Sequence, residues 1–146
     1  MTSEPRKGKL RRFVELDSAD QWLLLRAVGW LAVARIRLAI TPFARLAEAS
    51  AGESDPSCRH TNSSLTKRVG FAVRAAANNV PWRSDCFPQA IAARELLRRY
   101  GYESTIHLGV EKAGENDIAG HAWLTCGGTV VTGGDDLDRY TEVHRL

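Results

Sequence analysis

The stretch "SDCFPQAIAARELLRRYG", residues 84–101, decides how the rest of the chain is read. Proline lacks an amide hydrogen and clashes with the preceding turn, so Pro88 is at ease only in the first turn of a helix. The helix therefore begins near Ser84 or Asp85, either of which is a suitable cap. Phe87, Ala90, Ile91, Ala93 and Leu97 recur at helical spacing as its buried side, and Arg94, Glu95, Arg98 and Arg99 form a polar stripe. Gly101 suits the C-terminal stop. Cys86 then falls among the unpaired amides of a helix start, where the positive end of the helix dipole favours a thiolate. Those amides can also donate to an oxyanion formed on a substrate carbonyl. A small thiol is equally at home in a core, free cysteine being among the most buried residue types. The helix alone leaves both readings open.

Beyond residue 101 the period changes. "STIHLGV" alternates, with Ile106, Leu108 and Val110 on one face and Thr105, His107 and Gly109 on the other. "KAGEND" reads as an exposed turn, and "AGHAWLTC" and "TVVTG" flank Gly127-Gly128, a dipeptide suited to a two-residue hairpin. His121 shares a face with Trp123 and Thr125. If Cys126 pairs with Thr129, His121 falls opposite Gly134, and Asp135 and Asp136 emerge beside the imidazole. A carboxylate there orients the ring and stabilises its protonated form. A thiol at a helix start, a base on a strand and an acid after the next strand make a thiol-catalysis constellation.

Toward the N-terminus, Ser18 is a suitable cap for a long helix with Asp20 in its first turn. Trp22, Leu25, Gly29, Ala32 and Ile36 fall at helical spacing, as do Leu24, Val28, Leu31 and Arg35, and the helix should end before Pro42. Internal packing is the expected use of its apolar face, with docking of a partner as the alternative. Residues 48–64 are small, polar and turn-rich and read as a long loop. A second helical pattern runs through Leu65, Val69, Ala72, Val73 and Ala76 until Asn78, Asn79 and Pro81 stop it. Helices first and an antiparallel sheet afterwards is an α+β layout. The expected organisation is a basic flexible tail over 1–17 and one domain over 18–146, with a helical part at 18–79 and the catalytic core at 80–146.

The 146 residues are 44% hydrophobic and 25% charged, the balance of an ordinary globular domain. The net charge of +3 owes much to Arg6, Lys7, Lys9, Arg11 and Arg12, and no nucleic-acid signature accompanies that run. The opening residues lack the apolar core of a signal peptide, and three cysteines cannot all pair within one chain, so free thiols and a cytoplasmic setting are expected. Arg26, Arg35 and Arg37 interrupt the one oily segment, so no transmembrane segment is expected. Cys58 with His60 has no second Cys/His pair at zinc-ribbon spacing, so neither a metal nor another cofactor is expected. Cys126, at the hairpin tip, reads as a packed or surface thiol, and His107 as structural. Trp82 and Trp123 are candidates for the walls of a substrate groove, with core packing as the alternative for each.

Residues 80–141, above all "CFPQAIAARELLRRYGYESTIHLGV" and "GHAWLTCGGTVVTGGDDLDRYTEV", resemble the transglutaminase-like, papain-related B2 leader peptidases of lasso-peptide biosynthesis. "LLLRAVGWLAVARIRL" fits the same family loosely. The resemblance implies a papain-like core and a Cys86–His121–Asp136 triad, with Asp135 as the alternate acid. It implies removal of the leader from a ribosomally made precursor peptide, followed by an asparagine-synthetase-like cyclase that closes the freed amine onto an acidic side chain. Many relatives place the acid twelve residues after the histidine, in an Asn-Asp pair; position 133 here is glycine, and the "GG-x-D" form of the motif carries the role to Asp136. Position 80 is valine, so no papain-type oxyanion glutamine is evident, which leaves that role to backbone amides at Cys86. The residues before the loop show no alternating strand pattern, so the resemblance points to a separate leader-binding partner protein. An amide-forming acyltransferase on the same fold, and a non-catalytic peptide-binding module, are the rival readings.

Overall fold

The computed structural model describes residues 8–41, Arg45 and 62–146. Among them are helices α1 (Lys9–Val14), α2 (Ser18–Ile40), α3 (Ser63–Ala77) and α4 (Cys86–Arg99), followed by strands β1 (Thr105–Lys112), β2 (Ile118–Cys126), β3 (Thr129–Thr132) and β4 (Thr141–Arg145). The α+β layout, helices first and an antiparallel sheet packed on the cysteine helix, is the one the sequence predicts.

Local chemistry accounts for the helix ends. Asp17, one residue before the expected Ser18, caps α2 by accepting from the Ser18 amide at 3.0 Å. Asn62 caps α3, its side-chain oxygen accepting from the Ser64 and Leu65 amides. Part of the expected basic tail is helical: α1 carries Arg11 and Arg12, and the Gln21 amide ties it to α2 by donating to the Phe13 and Leu16 carbonyls, both at 3.0 Å. Cys58 and His60 lie outside the described residues.

Helix α4 is the central element. Ala90, Ala92, Ala93, Leu96 and Leu97 are buried on several sides of it, between Leu23, Ala27, Leu31 and Ala34 of α2, Val69, Val73 and Ala76 of α3, and Ile106, Leu124 and Cys126 of the sheet. Alanines at the crossings let backbones approach closely, and each fully buried leucine contributes about 1.5–3 kcal/mol by leaving water. Helix α3 lies close against the sheet at Gly70, where a Cβ would stand 2.4 Å from the Val131 carbonyl oxygen.

The face of α2 that carries Trp22, Leu25 and Ile36 is not packed inside. These side chains are 65%, 53% and 59% exposed. The helix is apolar on almost every side, so periodicity offered two faces. The buried face is neither of these: it is built on Leu23, Ala27, Leu31 and Ala34, with Leu24 and Val28 partly buried beside it.

The sheet has the order β3-β2-β1-β4, all antiparallel. Gly127 and Gly128 take φ of 56° and 77°, the double positive turn that matches the twist of a two-residue hairpin. Cys126 pairs with Thr129 as the sequence predicts, but the register slips between Thr125–Val130 and Leu124–Thr132. This bulge inserts Val131 as an extra residue and shifts everything beyond it. Strand β4 was not foreseen, because its residues are all exposed and carry no alternating pattern. Its end is pinned by reciprocal hydrogen bonds between Leu146 and Ile106, at 2.8 and 3.0 Å.

Candidate active site

Cys86 is the first residue of α4, half-buried, with a free thiol. Asp85 occupies the cap position, yet its side chain takes none of the first-turn amides and lies 3.6 Å from Arg83 instead. The turn is held from the other side, where Gln89 Nε2 donates to the Ser84 carbonyl at 2.8 Å. The positive end of the helix thus faces Cys86 without a carboxylate cap to neutralise it. Trp82 and Ser84, just upstream, each bury a polar atom without a hydrogen-bond partner among the described residues.

At its other end α4 closes onto the sheet, where the Cys126 thiol donates to the Glu103 carbonyl at 3.3 Å, near the end of β2. Leu124 and Cys126 face the helices, whereas His121, Trp123 and Thr125 alternate onto the other face. Cys86 thus begins the helix that packs on the Leu124 and Cys126 face of β2, and His121 stands on the opposite face of that strand. Among the described residues Cys86 makes no side-chain hydrogen bond, so the pair is not bonded in this state.

His121 is held on three sides. Its Nε2 lies 2.8 Å from the Gly133 carbonyl oxygen, its ring stacks on Tyr140 at 4.6 Å between centroids, and Trp123 lies behind it at 6.1 Å. A carbonyl can only accept, so Nε2 carries the proton, and in the neutral ring Nδ1 keeps a lone pair. That arrangement leaves Nδ1 able to serve as a base. The chain beyond β3 makes room for the contact: Gly133 has φ of 71°, and a Cβ on it would stand 2.4 Å from the Ala122 carbonyl oxygen.

The group that meets the imidazole is therefore not the one expected. Neither Asp136 nor the alternate Asp135 hydrogen-bonds His121. Asp136 takes a left-handed conformation, φ 54°, at the head of a single 3-10 turn (Leu137–Arg139), and its carboxylate lies 3.8 Å from Arg139 in an exposed pair. The bulge at Val131 and the positive φ of Gly133 turn the chain before either acid reaches the ring. Trp123, a candidate groove wall, is only 8% exposed and packs between His107 and His121. Trp82 is half-buried beside the start of α4.

Sequence reasoning missed Tyr140 and the pairing of His107 with Glu142. His107 stacks on Trp123 at 5.3 Å, with Nδ1 3.1 Å from Glu142 and Nε2 2.7 Å from the Thr125 hydroxyl. Arg145, and after it His107, hold the Glu142 carboxyl below the usual carboxylate range, against the opposing effect of burial. His107 is thus buried and bonded within the sheet. The signal for Tyr140 was weak, a lone aromatic after an acidic turn. The Gly133 carbonyl has no side chain to signal it at all.

A family model described as the transglutaminase-like superfamily matches residues 27–145. The chain belongs to that superfamily. The match runs from the middle of α2 to the end of β4 and takes in both Cys86 and His121. No curated protein and no solved structure matches the chain. Transglutaminase-like membership agrees with thiol chemistry of the peptidase or acyltransferase kind, and among the described residues no helix is long and apolar enough to cross a membrane.

Proposed function

We propose that this chain is a cysteine peptidase that removes the leader from a ribosomally made lasso-peptide precursor. The observation that carries the reading is the state of His121: Nε2 is committed to a carbonyl, and Nδ1 is left as an acceptor on a strand packed against the helix that Cys86 begins. Membership of the transglutaminase-like superfamily supports it. The leader-peptidase assignment rests on the resemblance in residues 80–141.

In the reaction, His121 Nδ1 takes the proton of Cys86, and the thiolate adds to the carbonyl at the leader–core junction. The amides at the start of α4 stabilise the oxyanion. The imidazolium protonates the departing amine of the core peptide, and the leader remains as a thioester on Cys86. Water, deprotonated by His121, then releases it. Thiol and base need not touch in the free enzyme, because catalytic hydrogen bonds are often long without substrate and tighten around it. A separate small protein holds the leader, which raises the local substrate concentration without adding a catalytic contact. An asparagine-synthetase-like cyclase closes the freed amine onto an acidic side chain.

The test is mass spectrometry of a precursor incubated with the chain and its leader-binding partner. Cleavage into leader and core by the wild type, and its loss by several orders of magnitude in Cys86→Ala and His121→Ala, is the expected result. Undiminished cleavage by Cys86→Ala would sink the mechanism. Adding a primary amine separates hydrolysis from transfer, since an acyltransferase gives a leader amide in place of the free acid.

A further inference from the structure

Position 133, twelve residues after His121, is glycine, and no acid fits there in this chain. Its φ of 71° disfavours any side-chain-bearing residue, and a Cβ would collide with the Ala122 carbonyl oxygen at 2.4 Å and crowd the Trp123 Cα and Cβ at 3.0 Å. Gly133 nonetheless makes the contact an acid would make, through its backbone oxygen, 2.8 Å from His121 Nε2. We propose that the Gly133 carbonyl is the positioning group for His121, and that this chain works with a thiol, an imidazole and a main-chain acceptor in place of a Cys-His-Asp triad. The inference rests on the peptidase reading for its catalytic consequence, and on geometry alone for the state of the ring.

Three observations make the carbonyl sufficient. It is an obligate acceptor, so it selects the Nε2–H form and presents Nδ1 as the base; an amide side chain, which can turn its donor to the ring, does not guarantee this. It is rigidly placed, since Gly133 follows directly on Thr132, the last residue paired with β2. The ring is also clamped by its stacks on Tyr140 and Trp123, so the hydrogen bond has only rotation about the ring axis left to fix. Asp135 and Asp136 are exposed, and Asp136 is already paired with Arg139.

Replacing Gly133 by alanine disturbs the backbone as well as the contact, so the decisive variant changes the oxygen and not the side chain. Cys126 is a natural ligation point: a thioester of residues 1–125 joined to a synthetic 126–146 peptide rebuilds the full chain. Substituting glycolate for Gly134 in that peptide turns the Gly133 carbonyl into an ester carbonyl, a weaker acceptor, and removes only a Gly134 amide that makes no backbone hydrogen bond among the described residues. The expected result, against an all-amide chain assembled in the same way, is that the 15N shifts of the neutral His121 ring move from Nε2–H toward a tautomer mixture. Alkylation of Cys86 by iodoacetamide should slow about fivefold, the scale of one weakened hydrogen bond. The same peptide carrying Asp136→Asn, or Asp135→Asn, should move the ring shifts less than the ester does. Unchanged ring shifts in the ester chain, or an equal or larger movement in either asparagine chain, would overturn the proposal. A Cys86 that resists alkylation in the all-amide chain would strike the peptidase reading instead, while the ring shifts still decide the role of Gly133.

Discussion

Glu142 Oε2 lies 3.1 Å from His107 Nδ1, so the last strand is fastened to the row of side chains on which His121 rests. From Glu142 the row runs through His107 and Trp123 to His121, each ring stacked on the next. Arg145 pairs with the same carboxylate from β4 itself. The row makes the geometry of the candidate base depend on an ion cluster at the edge of the sheet.

That dependence gives a pH signature. The folded-state titration of Glu142 is depressed, chiefly by Arg145 and then by His107. A group of this kind contributes stability that is present above its unfolded pKa and is lost as the pH falls through its folded value. Glu142→Gln should therefore lower Tm at neutral pH, and the difference from wild type should close as the pH drops through the carboxylate range. Thermal unfolding of both proteins between neutral and acidic pH checks it. A gap that stays constant over that range would mean that the carboxylate charge contributes nothing.

Gly70→Ala should destabilise the fold by about 1–3 kcal/mol, because the added methyl meets the backbone oxygen of Val131 and not a side chain that can swing away. For a domain of this size the loss corresponds to a Tm lower by roughly 3–10 °C. An unchanged Tm would show that α3 slides on β3 without cost.

Two cysteines of the described residues should separate cleanly under alkylation. Cys86 is half-buried at a helix start and should react in the native protein, whereas Cys126 is 1% exposed, donates to Glu103 and should react only on unfolding. Peptide mapping after a short pulse of iodoacetamide reads both sites. Cys126→Ala should cost about 1–2 kcal/mol in denaturant titration, from the vacated volume and the lost thiol contact with the Glu103 carbonyl, yet retain the proposed leader cleavage.

The two apolar faces of α2 should respond in opposite ways. Leu31→Ala empties a fully buried site and should cost about 2–5 kcal/mol. Trp22→Gln and Ile36→Gln alter exposed positions and should stay within about 0.5 kcal/mol of wild type. A large loss in the glutamine variants would mean that this face is covered by the chain's own residues.

What could be read from the sequence was what nearest neighbours determine. Pro88 set the start of α4 and with it the place of Cys86; Gly127-Gly128 set the hairpin and the Cys126–Thr129 pair; alternation put His121, Trp123 and Thr125 on one face. Each of these depends on sterics or pleat within a few residues. The tertiary structure decided the rest. An almost uniformly apolar α2 has no local reason to prefer one face, so the packing of α3 and α4 against Ala27 and Ala34 made the choice and left Trp22 and Ile36 outside. The bulge at Val131 lies where Gly70, more than fifty residues earlier in the chain, comes close to the Val131 carbonyl. That bulge, with the positive φ of Gly133, stops the chain short of bringing Asp136 to His121 and puts a carbonyl there instead. Every residue owns such an oxygen, so only the fold can single one out.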